Sequence, residues 1–145
     1  MAAEYTAALL QTVDERENVR FTDTPIPCTK GYVFHREGSG IFRLMGRTDR
    51  CAARYLVNFD ANISIPEGGT VGAISVAITL NGENLPTSTA IVTPAAVEEF
   101  FNVHLTAIID VPKGCCATIA IENITPATTG AIDVQNANLI IDKVF

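Results

Sequence analysis

Residues 55–65 alternate with a single fault. Tyr55, Val57, Phe59, Ala61, Ile63 and Ile65 are apolar, and Asn58, Asp60, Asn62 and Ser64 between them are polar, with Leu56 the exception. A period of two sends successive side chains to opposite faces of an extended chain, so this stretch predicts a strand with one face in a core and the other against water. Pro66-Glu67-Gly68-Gly69 then breaks the pattern. A second alternation follows: Ile74, Val76, Ile78 and Leu80, interleaved with Ser75, Ala77 and Thr79 and closed by Asn81-Gly82. Asn-Gly favours the tight turn of a two-residue hairpin. Half-buried strands joined by hairpins predict antiparallel sheet, and each apolar face needs another to cover it. The expected fold is therefore all-β and antiparallel, a β-sandwich or jelly roll.

The remaining chain divides the same way. Residues 19–22 predict a short strand, and Pro25 and Pro27 a linker-like turn, because proline donates no ladder bond. Residues 31–36 and 41–46 predict a hairpin around Glu37-Gly38-Ser39-Gly40. Residues 54–65, 71–81, 100–110, 116–123 and 131–144 predict the longer strands. In the last of these the apolar phase slips between Ile132/Val134 and Leu139/Ile141, which implies a bulge or burial on both faces. Thr93-Pro94 before Ala95-Ala96-Val97-Glu98-Glu99 carries a helix-start signature, read as one helical turn or an irregular corner. Residues 2–11 show no clean period and predict a short helix or a first strand. This divides the chain into an N-terminal docking segment or first strand, residues 1–18, and a jelly-roll domain, residues 19–145.

At 145 residues the chain has the size of one domain with a sizeable core, needing neither metal nor disulfide. The hydrophobic fraction is 48% and charged residues are only 18%, which points to apolar surface reserved for a subunit interface; a compact Ala- and Ile-rich monomer is the alternative. A net charge of −6 argues against nucleic acid as a partner. Arg36, Arg43, Arg47, Arg50 and Arg54 cluster in sequence, as a solvated face, as intersubunit ion pairs, or as an anion site. No apolar run reaches membrane-spanning length, and the N-terminus lacks the order of a leader peptide, so no membrane partner and cytoplasmic synthesis are expected.

Catalytic patterns are missing. Gly38-Ser39-Gly40 is not a nucleophile elbow, and the adjacent Glu98 and Glu99 point apart on an extended chain. His35 and His104 read as structural or interface histidines, and with Cys28, Cys51, Cys115 and Cys116 they do not complete a zinc pattern. Free thiols are expected, with a Cys28–Cys51 disulfide as the alternative. The chain is read as non-enzymatic, without cofactor or metal. Asn62-Ile63-Ser64 and Asn123-Ile124-Thr125 match the glycosylation sequon but are read as chance matches. Phe34, Phe42, Tyr55, Phe59, Phe100 and Phe101 are expected to fill the core, with one ring of the Phe100-Phe101 pair reaching an interface.

Four stretches carry a resemblance: residues 5–21 ending in Asn18-Val19-Arg20-Phe21; Gly38-Ser39-Gly40-Ile41-Phe42 before the long strand; Val76-Ala77-Ile78-Thr79-Leu80-Asn81-Gly82-Glu83; and residues 108–114 with Ile119-Ala120-Ile121-Glu122-Asn123 and the final Asn136-Ala137-Asn138-Leu139-Ile140-Ile141. Together they resemble the trimeric jelly roll shared by tumour necrosis factor and the complement globular head. Residues 91–103 and 110–116 also look like small structural proteins of phages and prophages of gut Firmicutes. The resemblance implies a homotrimer whose inner sheet, including the C-terminal strand, faces the axis, with Phe101, Val103, Leu105, Leu139 and Ile141 as interface candidates. It implies a virion structural protein, made in the host bacterial cytoplasm, that decorates the capsid or forms part of a head fibre and anchors on the major capsid protein or another virion protein. The first alternative is a carbohydrate- or receptor-binding module, recognising a host surface glycan through residues 66–72 or 81–89. The second is a small cupin-like metalloenzyme.

Overall fold

The computed structural model describes all residues, 1–145. It contains eleven strands and no helix: β1 (Ala2–Ala7), β2 (Gln11–Val13), β3 (Asp23–Ile26), β4 (Val33–His35), β5 (Phe42–Met45), β6 (Ala52–Ser64), β7 (Ile74–Leu80), β8 (Glu83–Val92), β9 (Phe101–Pro112), β10 (Cys116–Asn123) and β11 (Ile132–Lys143). They form two antiparallel sheets. One has the order β3-β1-β11-β6-β9, with β2 continuing beyond β1 on the same side of β11; the other has the order β4-β5-β10-β7-β8. Every named pairing is antiparallel, so the two-sheet sandwich expected from the alternation is the architecture observed.

β6 explains the arrangement. Ala53, Tyr55, Val57, Phe59, Ala61 and Ile63 are buried between the sheets, while Arg54, Leu56, Asn58, Asp60 and Asn62 face outward. β9 runs beside it in unbroken register from Ala52↔Pro112 to Ile63↔Phe101, so Val103, Leu105, Ala107, Ile109 and Val111 join the same core. Between the sheets, Tyr5, Phe21, Phe42 and Phe59 meet edge to face, with centroid separations of 4.7 Å for Tyr5–Phe42 and 5.4 Å for Phe21–Phe42. This geometry opposes the negative ring face to the positive ring edge. β7 departs from simple alternation: Ile74 to Thr79 are all buried, and on its second face the small Ser75 and Thr79 donate to Ala90 O and Ala120 O of the flanking strands.

Local signals resolve as their chemistry requires. Asn81 and Gly82 both take positive φ, 52° and 86°, and turn β7 into β8. The phase slip in β11 is a bulge: the register with β6 shifts between Gln135 and Asn138, and Asn136 sits there at φ 58°. Gly46 is required by proximity, since a Cβ there would overlap the Pro112 carbonyl oxygen.

Several expectations are resolved or corrected. Of the two readings of residues 1–18, the first strand is the one the fold contains: β1 lies between β3 and β11, and Ala3, Tyr5, Ala7 and Val13 are in the core. Residues 19–22 do not form a strand, although Val19 and Phe21 are fully buried; Val19 N–H donates to Ile121 O and Phe21 N–H to Ser39 O, so the segment bridges elements without a ladder of its own. Pro25 lies inside the edge strand β3, where a missing donor costs least. Of the two readings of residues 93–99, the irregular corner is the one observed, pinned where Glu98, at φ 58°, donates its N–H to Ile65 O.

Candidate functional site

The outward face of β1, β11, β6 and β9 carries a connected set of side-chain hydrogen bonds. Register places Glu4, Ile140, Asn58 and Thr106 in one row across the sheet, and Thr6, Asn138, Asp60 and His104 in the next. Neighbouring side chains bond along and between these rows. Thr106 Oγ1 donates to Asn58 Oδ1 at 2.7 Å, and Asn138 Nδ2 donates to Glu4 Oε2 at 2.7 Å. Asn102 Nδ2 donates to Asp60 Oδ1 at 2.9 Å and to Asn62 Oδ1 at 3.2 Å, and Asn62 Nδ2 continues to Asn136 Oδ1 at 3.1 Å. The Asn136 bulge thus presents one end of a bonded amide network. Toward the other end the face turns apolar: Leu56 pairs with Ile108, Ile140 lies one row away, and Ile26 flanks Glu4 on β3. Ile108 and Ile26 are 65% and 55% exposed.

β9 is also the free edge of this sheet, twelve residues long. An edge of that length presents a row of open backbone groups, which natural proteins cover or pair. Phe100 and Phe101 lie exposed at its start.

The five interface candidates separate on this geometry. Phe101 keeps an exposed ring, 36% accessible. Val103, Leu105, Leu139 and Ile141 are corrected: they are buried within the chain's own sandwich and have no surface left for a partner. Their apolar character serves the core, and the same strands offer Asn102, His104, Thr106 and Ile108, with Asn138 and Ile140, to the outside. The signal for these was already in the alternation, as the other phase of each strand.

Of the rings expected in the core, Phe42, Tyr55 and Phe59 are there, while Phe34, Phe100 and Phe101 are exposed; Tyr5 and Phe21 take inner positions. His35 stacks on Phe42 with a centroid separation of 4.1 Å, and its Nε2 lies 2.8 Å from Ser39 O. His104 lies on the outer face of the other sheet, 3.1 Å from Thr106 Oγ1. No group of three or more His, Cys, Asp and Glu side chains is placed to share a metal ion, and all four cysteines are free thiols. Asn123 is fully buried, with Nδ2 donating to Val13 O and Gly130 O, so this sequon is a structural asparagine. Residues 81–89, one of the two stretches offered for glycan recognition, lie largely in β8. Arg54 and Asp110 form a two-bonded pair at 2.7 and 2.9 Å, which holds the Asp110 carboxyl below its usual range.

No family model matches the sequence, and no curated protein matches it. Solved structures match over nearly the whole chain. Eiger, a tumour necrosis factor of S. frugiperda, superposes with a TM-score of 0.70 at 12% identity, covering 100% of this chain and 92% of its own. The globular domain of zebrafish complement 1qA gives 0.67 at 13%, covering 99% and 97%. Murine APRIL gives 0.60 at 10%, covering 98% and 99%. The jelly roll is the one these proteins share, and at such identities the likeness concerns fold alone.

Proposed function

We propose that this chain is a non-enzymatic assembly domain that closes into a homotrimer through the outer face of the β1-β11-β6-β9 sheet and the free edge of β9. The observation that carries this reading is the character of that face. Its polar side chains bond to one another, so covering them strands few unpaired groups, and its apolar end at Leu56, Ile108 and Ile140 gains from burial. A closed cyclic assembly also covers the parts of the β9 edge that have no ladder partner, beyond the point where Ser88 Oγ of β8 donates to Thr106 O. The likeness to the tumour necrosis factor and complement folds supports three copies around an axis on the inner-sheet side.

Within this reading the trimer serves as a phage virion component, a capsid decoration or part of a head fibre, anchored on the major capsid protein and acquired during assembly in the host bacterium. Its support is the resemblance of residues 91–103 and 110–116 to small phage proteins. A second reading, a carbohydrate- or receptor-binding module, is favoured by a basic cleft at one end of the sandwich.

Light scattering coupled to size-exclusion chromatography tests the assembly. The expected mass is about 46 kDa, three times 15.5 kDa, falling to one chain for Ile108→Arg with the far-ultraviolet spectrum unchanged. A wild-type monomer, or an Ile108→Arg protein that stays trimeric, overturns it. Detecting the chain in purified virions tests the particle assignment.

A further inference from the structure

The five arginines grouped in sequence do not share one site. Arg36 and Arg43 stand beside Phe34 and His35, and Arg54 is paired with Asp110. Arg47 and Arg50 instead meet Lys30 and Lys143, which come from distant parts of the chain, around an open cleft of about 680 Å³. Four of the chain's ten basic side chains thus line one concavity, in a molecule where 16 acids outnumber 10 bases. None of the four forms an ion pair; the two ion pairs present are Met1–Asp142 and Arg54–Asp110. Asp49 is the single acid in the lining, and it is bound to none of them.

Two of the cations are held at the walls by aromatic rings. Arg50 Cζ lies 4.3 Å from the centroid of the Phe145 ring, and Lys143 Nζ lies 4.5 Å from that of Tyr32. A cation over a ring face keeps its charge near the cleft instead of trailing into solvent. Arg47 Nη1 makes only long contacts, 3.4 Å to Lys30 O and 3.5 Å to Gly31 O, which leaves its guanidinium donors largely unused. Four cations around one unpaired carboxylate, Asp49, leave an excess of positive charge that is unfavourable by itself and favourable once an anion enters the cleft. The two rings in the lining lie under cations, so charge-assisted hydrogen bonds rather than apolar contact supply the affinity.

We propose that this cleft binds a compact polyol carrying several oxyanion groups, of the class of sulfated or phosphorylated saccharides. The volume suits a ligand of one to three sugar rings. The lining residues come from separate stretches of the chain, around Lys30, around Arg47 and at its C-terminal end.

Isothermal titration calorimetry with sucrose octasulfate and inositol hexakisphosphate, and with unmodified sucrose as the neutral control, tests this at low and physiological salt. At least one polyanion is expected to bind, more weakly at higher salt, and sucrose is expected not to bind. The double variant Lys30→Ser/Arg47→Ser is expected to weaken binding by about tenfold or more, while Arg36→Ser/Arg43→Ser leaves it unchanged. Thermal melts establish that both variants stay folded. Absence of binding by both polyanions, equal losses in the two variants, or full retention in Lys30→Ser/Arg47→Ser overturns the proposal.

Discussion

Tyr55 and Tyr5 show how single side chains couple this fold to pH. Tyr55 is fully buried in the alternating strand, and its hydroxyl donates to Met45 O and lies 3.1 Å from Tyr32 O. Burial pushes its pKa up to about 12, and burial also pushes that of Tyr5 up to about 12. In the unfolded chain both phenols titrate near 10. Between these values the unfolded state releases protons that the folded state retains, so stability is fully present below pH 10 and falls as pH rises toward 12. Thermal melts from pH 8 to 11.5 are expected to show a decline beginning near 10 that is shallower in Tyr5→Phe/Tyr55→Phe. An equal decline in the double variant removes the tyrosines as its cause.

The first strand belongs to the sandwich rather than to an appendage. β1 pairs with β11 at six positions, from Ala2↔Asp142 to Ala7↔Ala137, and places Ala3, Tyr5 and Ala7 against the core. Removing residues 1–18 takes away these side chains with Val13, and it exposes the flank of β11 along its length. Loss of a buried tyrosine alone costs about 3–5 kcal/mol by analogy with other large aromatic truncations. The truncated chain is therefore expected to lose its cooperative thermal transition, and a folded, sharply melting product would show the N-terminal strand to be dispensable.

Assembly adds a concentration term to stability. If three chains share a face, mass action favours the folded trimer as protein concentration rises. The melting temperature is expected to rise over a hundredfold concentration range in the wild type and to stay constant in Ile108→Arg. A wild-type midpoint independent of concentration argues against an assembly coupled to folding. The polyanion cleft predicts a separate response: its ligand stabilises each chain, and the variant that abolishes assembly still responds.

Alternation, turn chemistry and a phase slip are local properties, and they reach into the fold intact. The period of two over residues 55–65 is β6, Asn81-Gly82 is a hairpin turn because both residues tolerate positive φ, and the slip near Asn136 is a bulge because one residue is too many for the ladder. Periodicity says that a strand has two faces but not what each face meets. Val103, Leu105, Leu139 and Ile141 therefore looked available to a partner until the second sheet was seen to cover them. The bridging path of Val19 and Phe21 and the integration of β1 depend on bonds to Ile121, Ser39 and β11, residues remote in the chain. The basic cleft has the same origin: Lys30, Arg47, Arg50 and Lys143 are separated by up to most of the chain, and only the closure of the sandwich brings their charges to one place.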